Sequence, residues 1–203
     1  AGAARSSIAR WLSRIVPESP LFYVAFALLY LSPPTFDYVV FRRLWGIPLD
    51  GLVALMKKRI ANDVVLGYSG EAYFYAWARG RSHMVAAPFG AVKDVSILSG
   101  IAGNAATILL CLFALPLGYQ LIPAHLLKPV FASAALTIVI SVAILAFSKR
   151  VFSLPRSQLW AIFALHAGRI AASSILLAFC WHFAMPGVSI GMWLFLSAGR
   201  LLV

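Results

Sequence analysis

The sequence predicts an all-α membrane protein, a polytopic bundle of helices that forms a single transmembrane domain over residues 1–203. Of its 203 residues 62% are hydrophobic and only 11% are charged, whereas a soluble domain has roughly 25% charged residues. Several uncharged runs reach the roughly 20 residues that a helix needs to cross the hydrocarbon core of a bilayer. These observations indicate an integral membrane protein rather than a soluble domain.

The first 17 residues are predicted to form an interfacial amphipathic helix. Apolar side chains such as Ile8, Trp11 and Ile15 recur there at helical spacing, while arginines and serines occupy the other side. A helix of this kind lies in the plane of the headgroups, with its apolar face buried just below them. We interpret the segment as an anchor.

Five membrane spans are predicted after this helix. The first should be kinked or broken at Pro33 and Pro34, because proline removes a helical N–H donor and its ring clashes with the preceding turn. Another span contains His166 and Arg169 within an otherwise uncharged run. The predicted spans are 20–41, 95–117, 129–148, 157–182 and 187–203.

Residues 60–92 are predicted to form a re-entrant or broken segment. Its first part, from Asn62 to Trp77, contains two glycines, an aspartate and a glutamate among apolar and aromatic residues. A carboxylate near hydrocarbon is costly unless it is paired or used, and irregular backbone at membrane depth must be covered by protein or water. This segment is therefore the candidate site; the alternative is an interfacial loop with Glu71 in the headgroup layer.

The distribution of basic residues orients the predicted spans. Lys149, Arg150 and Arg156 crowd one short connection, which the positive-inside rule places on the cytoplasmic side. Two topologies stay open for residues 1–93. Either 60–92 enters the membrane and returns, which leaves the N-terminal arginines outside, or the N-terminus is inside and 60–92 crosses; we favour the re-entrant version.

The net charge of +11 arises from 17 Lys and Arg against 6 Asp and Glu. These basic residues fall between the apolar runs, where they bind anionic headgroups, and they form no separate surface for a polynucleotide. We therefore predict phospholipids, preferentially anionic, as partners, with other membrane subunits as a further option, and no nucleic acid. Cys111 and Cys180 lie inside apolar runs, which indicates neither a disulfide framework nor a metal site.

Polar residues at helical spacing indicate a polar seam inside the bundle. Arg169 lies about three turns into its predicted helix and needs a carboxylate unless it snorkels to the surface. We predict that it pairs with Glu71 or Asp94, and we interpret His166 as a hydrogen-bonded interior histidine. The candidate lipid-binding residues are Asn62, Asp63, Gly70, Glu71, Lys93, Asp94, Asn104, His166 and Arg169.

Signatures of catalysis are weak in this sequence. The run from Gly67 to Gly70 resembles the start of a nucleophile elbow, but Glu71 follows where a glycine is required and the strand–turn–helix context is missing. Metal-ligand spacings, a phosphate loop and a dinucleotide fingerprint are not found in the sequence. We predict no catalytic residue, no metal and no cofactor, and an enzyme is not the favoured interpretation.

Four features follow one another in this sequence: Asn62, the Gly67-Tyr68-Ser69-Gly70-Glu71 turn, an aromatic and basic helix after it, and a long span beginning near Asp94. Together they resemble the lysylphosphatidylglycerol synthase-type transmembrane family. The resemblance covers most of residues 40–203. Gly67 stands where that family has a proline, and the basic residue expected soon after the Gly-Glu pair appears only at Arg79. The resemblance implies a multi-pass protein of the bacterial cytoplasmic (inner) membrane that handles or flips phospholipid. Synthase activity is not implied, because the sequence contains no soluble aminoacyl-transfer domain.

Three functions remain in competition at this point. The first is an integral membrane protein that handles or flips phospholipid through a polar intramembrane seam. The second is a non-catalytic accessory subunit of a larger membrane protein complex. The third is a membrane-embedded lipid-linked transferase, with Glu71 or Asp63 as general base.

Overall fold

The computed structural model of the chain describes residues 16–81, 88–118, 124–146 and 151–200. Within these ranges it contains helices and no strand, so the predicted all-α class is confirmed. Residues 1–15 of the predicted interfacial helix and residues 147–150 of the basic connection lie outside the described residues. The helices are α1 (Pro20–Trp45), α2 (Asp50–Val64), α3 (Ser69–Arg79), α4 (Pro88–Gly118), α5 (Ala124–Ala146), α6 (Arg156–Ala184) and α7 (Ile190–Gly199).

Two of the described helices, α1 and α6, are long and apolar enough to cross a membrane, judged by length and composition. α6 extends slightly beyond the predicted span 157–182 at both ends. α7 has 10 residues, which corresponds to about 15 Å of helix and about half the thickness of the hydrocarbon core. It covers residues 190–199 of the predicted span 187–203, whose residues 201–203 lie outside the described residues.

α4 and α5 also differ from the predicted spans in where they begin. α4 starts at Pro88, ahead of the predicted span 95–117. α5 starts at Ala124 and includes Pro129, where the span 129–148 was expected to begin. α4 starts with Pro88, which is tolerated in a first turn because the N–H groups there have no partner within the helix, whereas Pro129 lies inside α5, beyond its first turn. The apolar runs predict the helices, but not their first turns.

α1 passes through Pro33 and Pro34 as one continuous helix, so the expected break does not occur. Pro34 cannot donate a hydrogen bond to the carbonyl of Tyr30 four residues earlier. The Arg59 guanidinium donates to that carbonyl instead, with 3.1 Å between Nη1 and O, and its Cζ lies 4.9 Å from the centroid of the Tyr30 ring. A neighbouring helix thus replaces one of the hydrogen bonds that the prolines remove.

The apolar core lies where α1, α2, α3, α4 and α6 meet. The rings of Phe41 and Phe74 are fully buried there, with centroids 4.6 Å apart. Leu55 of α2 and Val95 of α4 are buried against them, and α1 also packs along α6. This core fixes the positions of the five helices that surround the candidate site.

Segment 60–92, predicted to be re-entrant or broken, includes the end of α2, a turn and α3, which form a helix–turn–helix hairpin, while its residues 82–87 lie outside the described residues. The turn brings Tyr68 into the left-handed region, with φ of 67°. The Ser69 hydroxyl donates to the carbonyl of Ala61 at 2.8 Å, and the N–H of Gly70 donates to Oδ1 of Asn62 at 2.7 Å. Because the first N–H groups of a helix lack partners within it, Asn62 caps α3 from the preceding helix.

Close approach of the two helices requires glycine at position 70. A Cβ added to Gly70 would lie 2.0 Å from the carbonyl oxygen of Lys58 and 2.7 Å from Oδ1 of Asn62. Backbone atoms cannot move aside as the end of a flexible side chain can. Any larger residue at position 70 must therefore push α3 away from α2.

Gly70→Ala is expected to destabilise the protein by about 1–3 kcal/mol, the usual range for overpacking. Thermal unfolding of the purified protein in detergent would measure this as a lower Tm. Gly67→Ala is the matched control, because a Cβ at Gly67 meets nothing within 4 Å. Equal Tm values for the two variants would contradict the close-packing role of Gly70.

Candidate functional site

A polar cavity of about 370 Å³ lies among α1, α2, α3, α4 and α6. It receives side chains of both charges from separate helices, and Ser96 and Ser99 of α4 complete its polar wall. Hydrophobic lining comes from residues such as Leu55 and Val95. The ionisable side chains that line it are Asp37, Lys58, Arg59, Asp63, Glu71, His166 and Arg169.

Lys58 of α2 is the central cation of this cavity. Its Nζ lies 3.0 Å from Oδ2 of Asp37 on α1 and 3.5 Å from Oε1 of Glu71 on α3, and its side chain is only 10% exposed. Burial disfavours the charged form, but the two carboxylates outweigh it, so the pKa of Lys58 lies above its ordinary value. This contribution to stability is present in full below the unfolded pKa of about 10.4 and is lost as the pH rises through the higher folded value.

Arg169 of α6 is a second, half-buried cation of the cavity. Its Nη1 lies 3.6 Å from Oδ1 of Asp37, and its Nη2 donates to Oγ of Ser99 at 2.7 Å. The prediction that Arg169 pairs with Glu71 or Asp94 is therefore wrong. The reason is that α6 packs along α1, which brings Asp37 to it, while Glu71 pairs with Lys58.

Lys93 and Asp94, predicted as lipid-binding residues, do not line this cavity. Oδ2 of Asp94 accepts hydrogen bonds from the backbone N–H groups of Ser153 at 2.7 Å and Leu154 at 2.8 Å. The Lys93 ammonium donates to the carbonyl of Val151 and lies 3.4 Å from Oδ1 of Asp94. The two side chains fasten the segment that precedes α6 onto α4, which is a structural role.

The remaining predicted residues divide between the cavity and its surroundings. Glu71 and His166 line it, and Asp63 lies at its rim, with a 62% exposed side chain that pairs with Arg59 at 3.6 Å. Asn62 also lines it, but its Oδ1 is engaged as the cap of α3. Gly70 and the half-buried Asn104 do not belong to the lining.

Two central residues, Asp37 and Lys58, were not among the predicted site residues. Asp37 lies inside the predicted span 20–41, so the cost of a carboxylate in hydrocarbon was a signal that could have identified it. Lys58 belongs to the basic run Lys57-Lys58-Arg59, which the sequence does not distinguish from the other basic residues between the apolar runs. The positions Ala54, Lys58 and Asn62 are spaced by one helical turn, which predicts a shared helix face, and all three are turned toward the protein interior in the structure.

Several buried polar atoms of the cavity wall are left without a hydrogen-bond partner among the residues that the structure describes. They are Oε2 of Glu71, Oδ1 of Asp37, Oγ of Ser96 and both ring nitrogens of His166. His166 is buried as predicted, 1% exposed, and the Val95 backbone lies close enough to interact with its ring. Because buried polar groups are rarely left unpaired, these atoms provide donors and acceptors for a polar ligand.

The sequence matches no protein-family model, and no curated protein or solved structure is significantly similar to it. The resemblance to the lysylphosphatidylglycerol synthase-type family therefore stays a prediction. What this site does has to be argued from its geometry and charges.

Lys58→Met is expected to destabilise the protein by about 3–5 kcal/mol, because it leaves the buried carboxylates of Asp37 and Glu71 without their shared cation. Lys57→Met serves as the matched control, since Lys57 is exposed on the same helix. Denaturant or thermal unfolding in detergent would compare the two variants. Similar stability losses at positions 57 and 58 would show that Lys58 does not hold the three helices together.

Proposed function

We propose that the protein is an integral membrane protein that takes the headgroup of a phospholipid into the polar cavity and moves it through the bilayer interior. The observation that supports this most directly is a cavity between apolar helices that is lined by three cations, three carboxylates and buried polar atoms without a hydrogen-bond partner among the described residues. Ionisable residues in such a setting usually mark a substrate or ion pathway. The acyl chains of the lipid would stay in the bilayer while the headgroup occupies the cavity.

The outer surface of the helices supports a membrane location. Large apolar side chains are exposed along α1, α5, α6 and α7, among them Phe26, Val139, Trp160 and Phe195. Contiguous apolar surface of this kind is uncommon on soluble monomers and marks contact with membrane or protein. We propose that the protein crosses the membrane several times. Its location in the bacterial inner membrane is proposed from the family resemblance alone.

The charges of the cavity indicate which headgroup would fit. Lys58 and Arg169 can bind a phosphate, since Arg has five N–H donors and charge-assisted contacts to phosphate are strong. The Oε2 of Glu71, which has no hydrogen-bond partner among the described residues, can accept from an amine. Because three cations and three carboxylates line the cavity and balance each other, the cavity favours a headgroup that contains both a phosphate and an amine.

This assignment refines the expected preference for anionic lipid. That expectation rests on the net charge of +11, but the buried basic residues Lys58 and Arg169 are already paired with carboxylates. The unpaired excess of positive charge therefore does not lie in the cavity. A volume of about 370 Å³ falls in the lower part of the roughly 300–1,000 Å³ range of ligand pockets and suits a headgroup.

Glu71→Gln is expected to slow movement of a labelled phosphatidylethanolamine about tenfold, the effect of losing about 1.4 kcal/mol from one charge-assisted contact. The protein would be reconstituted into liposomes, and accessibility of the headgroup label would be followed over time. Gln keeps the shape of Glu, and Asp37 still pairs with Lys58 in this variant. The loss should be smaller for labelled phosphatidylglycerol, which has no amine.

Asp50→Asn is the control for this experiment. Asp50 is a half-exposed carboxylate paired with Arg81 at 2.6 Å, outside the cavity lining, so its loss should leave lipid movement unchanged. Wild-type rates for Glu71→Gln with both lipids would count against a role for Glu71. If liposomes with wild-type protein move no faster than empty ones, the proposed function is wrong.

A further inference from the structure

A second cavity, of about 480 Å³, lies between α4, α5 and α6. In contrast to the polar cavity, its wall is built almost entirely from aliphatic and aromatic side chains, with a single charged residue, Arg156. The wall includes Leu98, Ile101, Ile138, Val142, Leu159 and Phe163.

α4 separates this apolar cavity from the polar one. Ser96 and Ser99 line the polar cavity, whereas Leu98 and Ile101 line the apolar cavity. At about 100° per residue these two sets fall on different sides of the helix. The apolar cavity is therefore a separate site and not an extension of the polar one.

The charged end of the apolar cavity carries the features of a membrane interface. Arg156 is the exposed first residue of α6, and Trp160, one turn later, is 71% exposed. Tryptophan and basic residues concentrate where helices meet the headgroup layer. In the described part of the chain no carboxylate forms an ion pair with Arg156.

We propose that this cavity binds one acyl chain of an anionic phospholipid whose phosphate contacts Arg156. An acyl chain gains little by leaving the bilayer for an apolar cavity, because lipid tails and protein interior are similarly apolar. Selection must then come from the headgroup, and an unpaired guanidinium selects a phosphate with no compensating amine. Basic pockets between membrane helices bind anionic lipid headgroups by this principle.

The proposal rests on the membrane location given above and does not depend on headgroup movement through the polar cavity. The two sites also differ in ligand chemistry. The polar cavity has balanced charges and takes a headgroup, whereas the apolar cavity takes a chain and offers one cation. Loss of one site should therefore leave the other intact.

Native mass spectrometry of the full chain in detergent would measure retention of phosphatidylglycerol against phosphatidylcholine. Wild-type protein is expected to retain phosphatidylglycerol preferentially. Arg156→Gln should weaken its retention about tenfold, while Arg43→Gln, which removes an exposed arginine at the end of α1, should not. Ala105→Phe fills the cavity that Ala105 lines and should have a similar effect, whereas Ala161→Phe on the exposed face of α6 should not.

Equal retention of the two lipids by wild-type protein would overturn the proposal. Wild-type retention by Arg156→Gln would overturn it as well, and so would equal losses in Arg156→Gln and Arg43→Gln. If Ala105→Phe does not fold, the comparison of Arg156→Gln with Arg43→Gln is sufficient to test the proposal. If phosphatidylglycerol retention depends on Arg156 while liposomes show no headgroup movement, the acyl-chain site is supported and the proposed transport function is not.

Discussion

The arrangement of the polar cavity depends on one buried ammonium group. Lys58 contacts Asp37 and Glu71, so a single cation joins α1, α2 and α3. Removing either the lysine or a carboxylate from such a cluster leaves an uncompensated buried charge, which is strongly unfavourable. The remaining oxygen of Asp37 then faces Arg169, which brings α6 into the same network. A cluster that holds four helices together and still keeps free acceptor atoms can serve both folding and binding.

Much of the fold could be predicted because it follows from local pattern. Uncharged runs of sufficient length identify membrane-type helices, and the limits of α6 agree closely with them. The broken segment was recognisable from its glycines, and its turn is indeed held by Asn62 and Gly70. The continuity of α1 through two prolines could not be predicted, since it involves an arginine from another helix. Where the local sequence permits either a broken or a continuous helix, contacts with a neighbouring helix determine which one forms.

The candidate site was accessible to sequence reasoning only in part. Glu71, His166 and Arg169 stand out because polar residues in apolar runs are costly, and the structure brings all three to one cavity. Which carboxylate meets Arg169 depends on the packing of α6 along α1, and no spacing within one helix contains that information. Lys93 and Asp94 carry equally prominent charges, yet they bind backbone groups of the segment before α6. A charged residue in an apolar run can therefore line a ligand site or hold two segments of the chain together, and its polarity alone does not distinguish the two roles.

The hydrogen bond from Arg59 to the Tyr30 carbonyl bears on how the chain is assembled. During synthesis α1 emerges before α2, and until α2 arrives the carbonyl opposite Pro34 has no donor. A bare carbonyl in hydrocarbon is unfavourable by several kcal/mol, so in the membrane location proposed above α1 gains this hydrogen bond only when α2 packs against it. The proline pair thereby makes the stability of α1 in a bilayer depend on its neighbour α2.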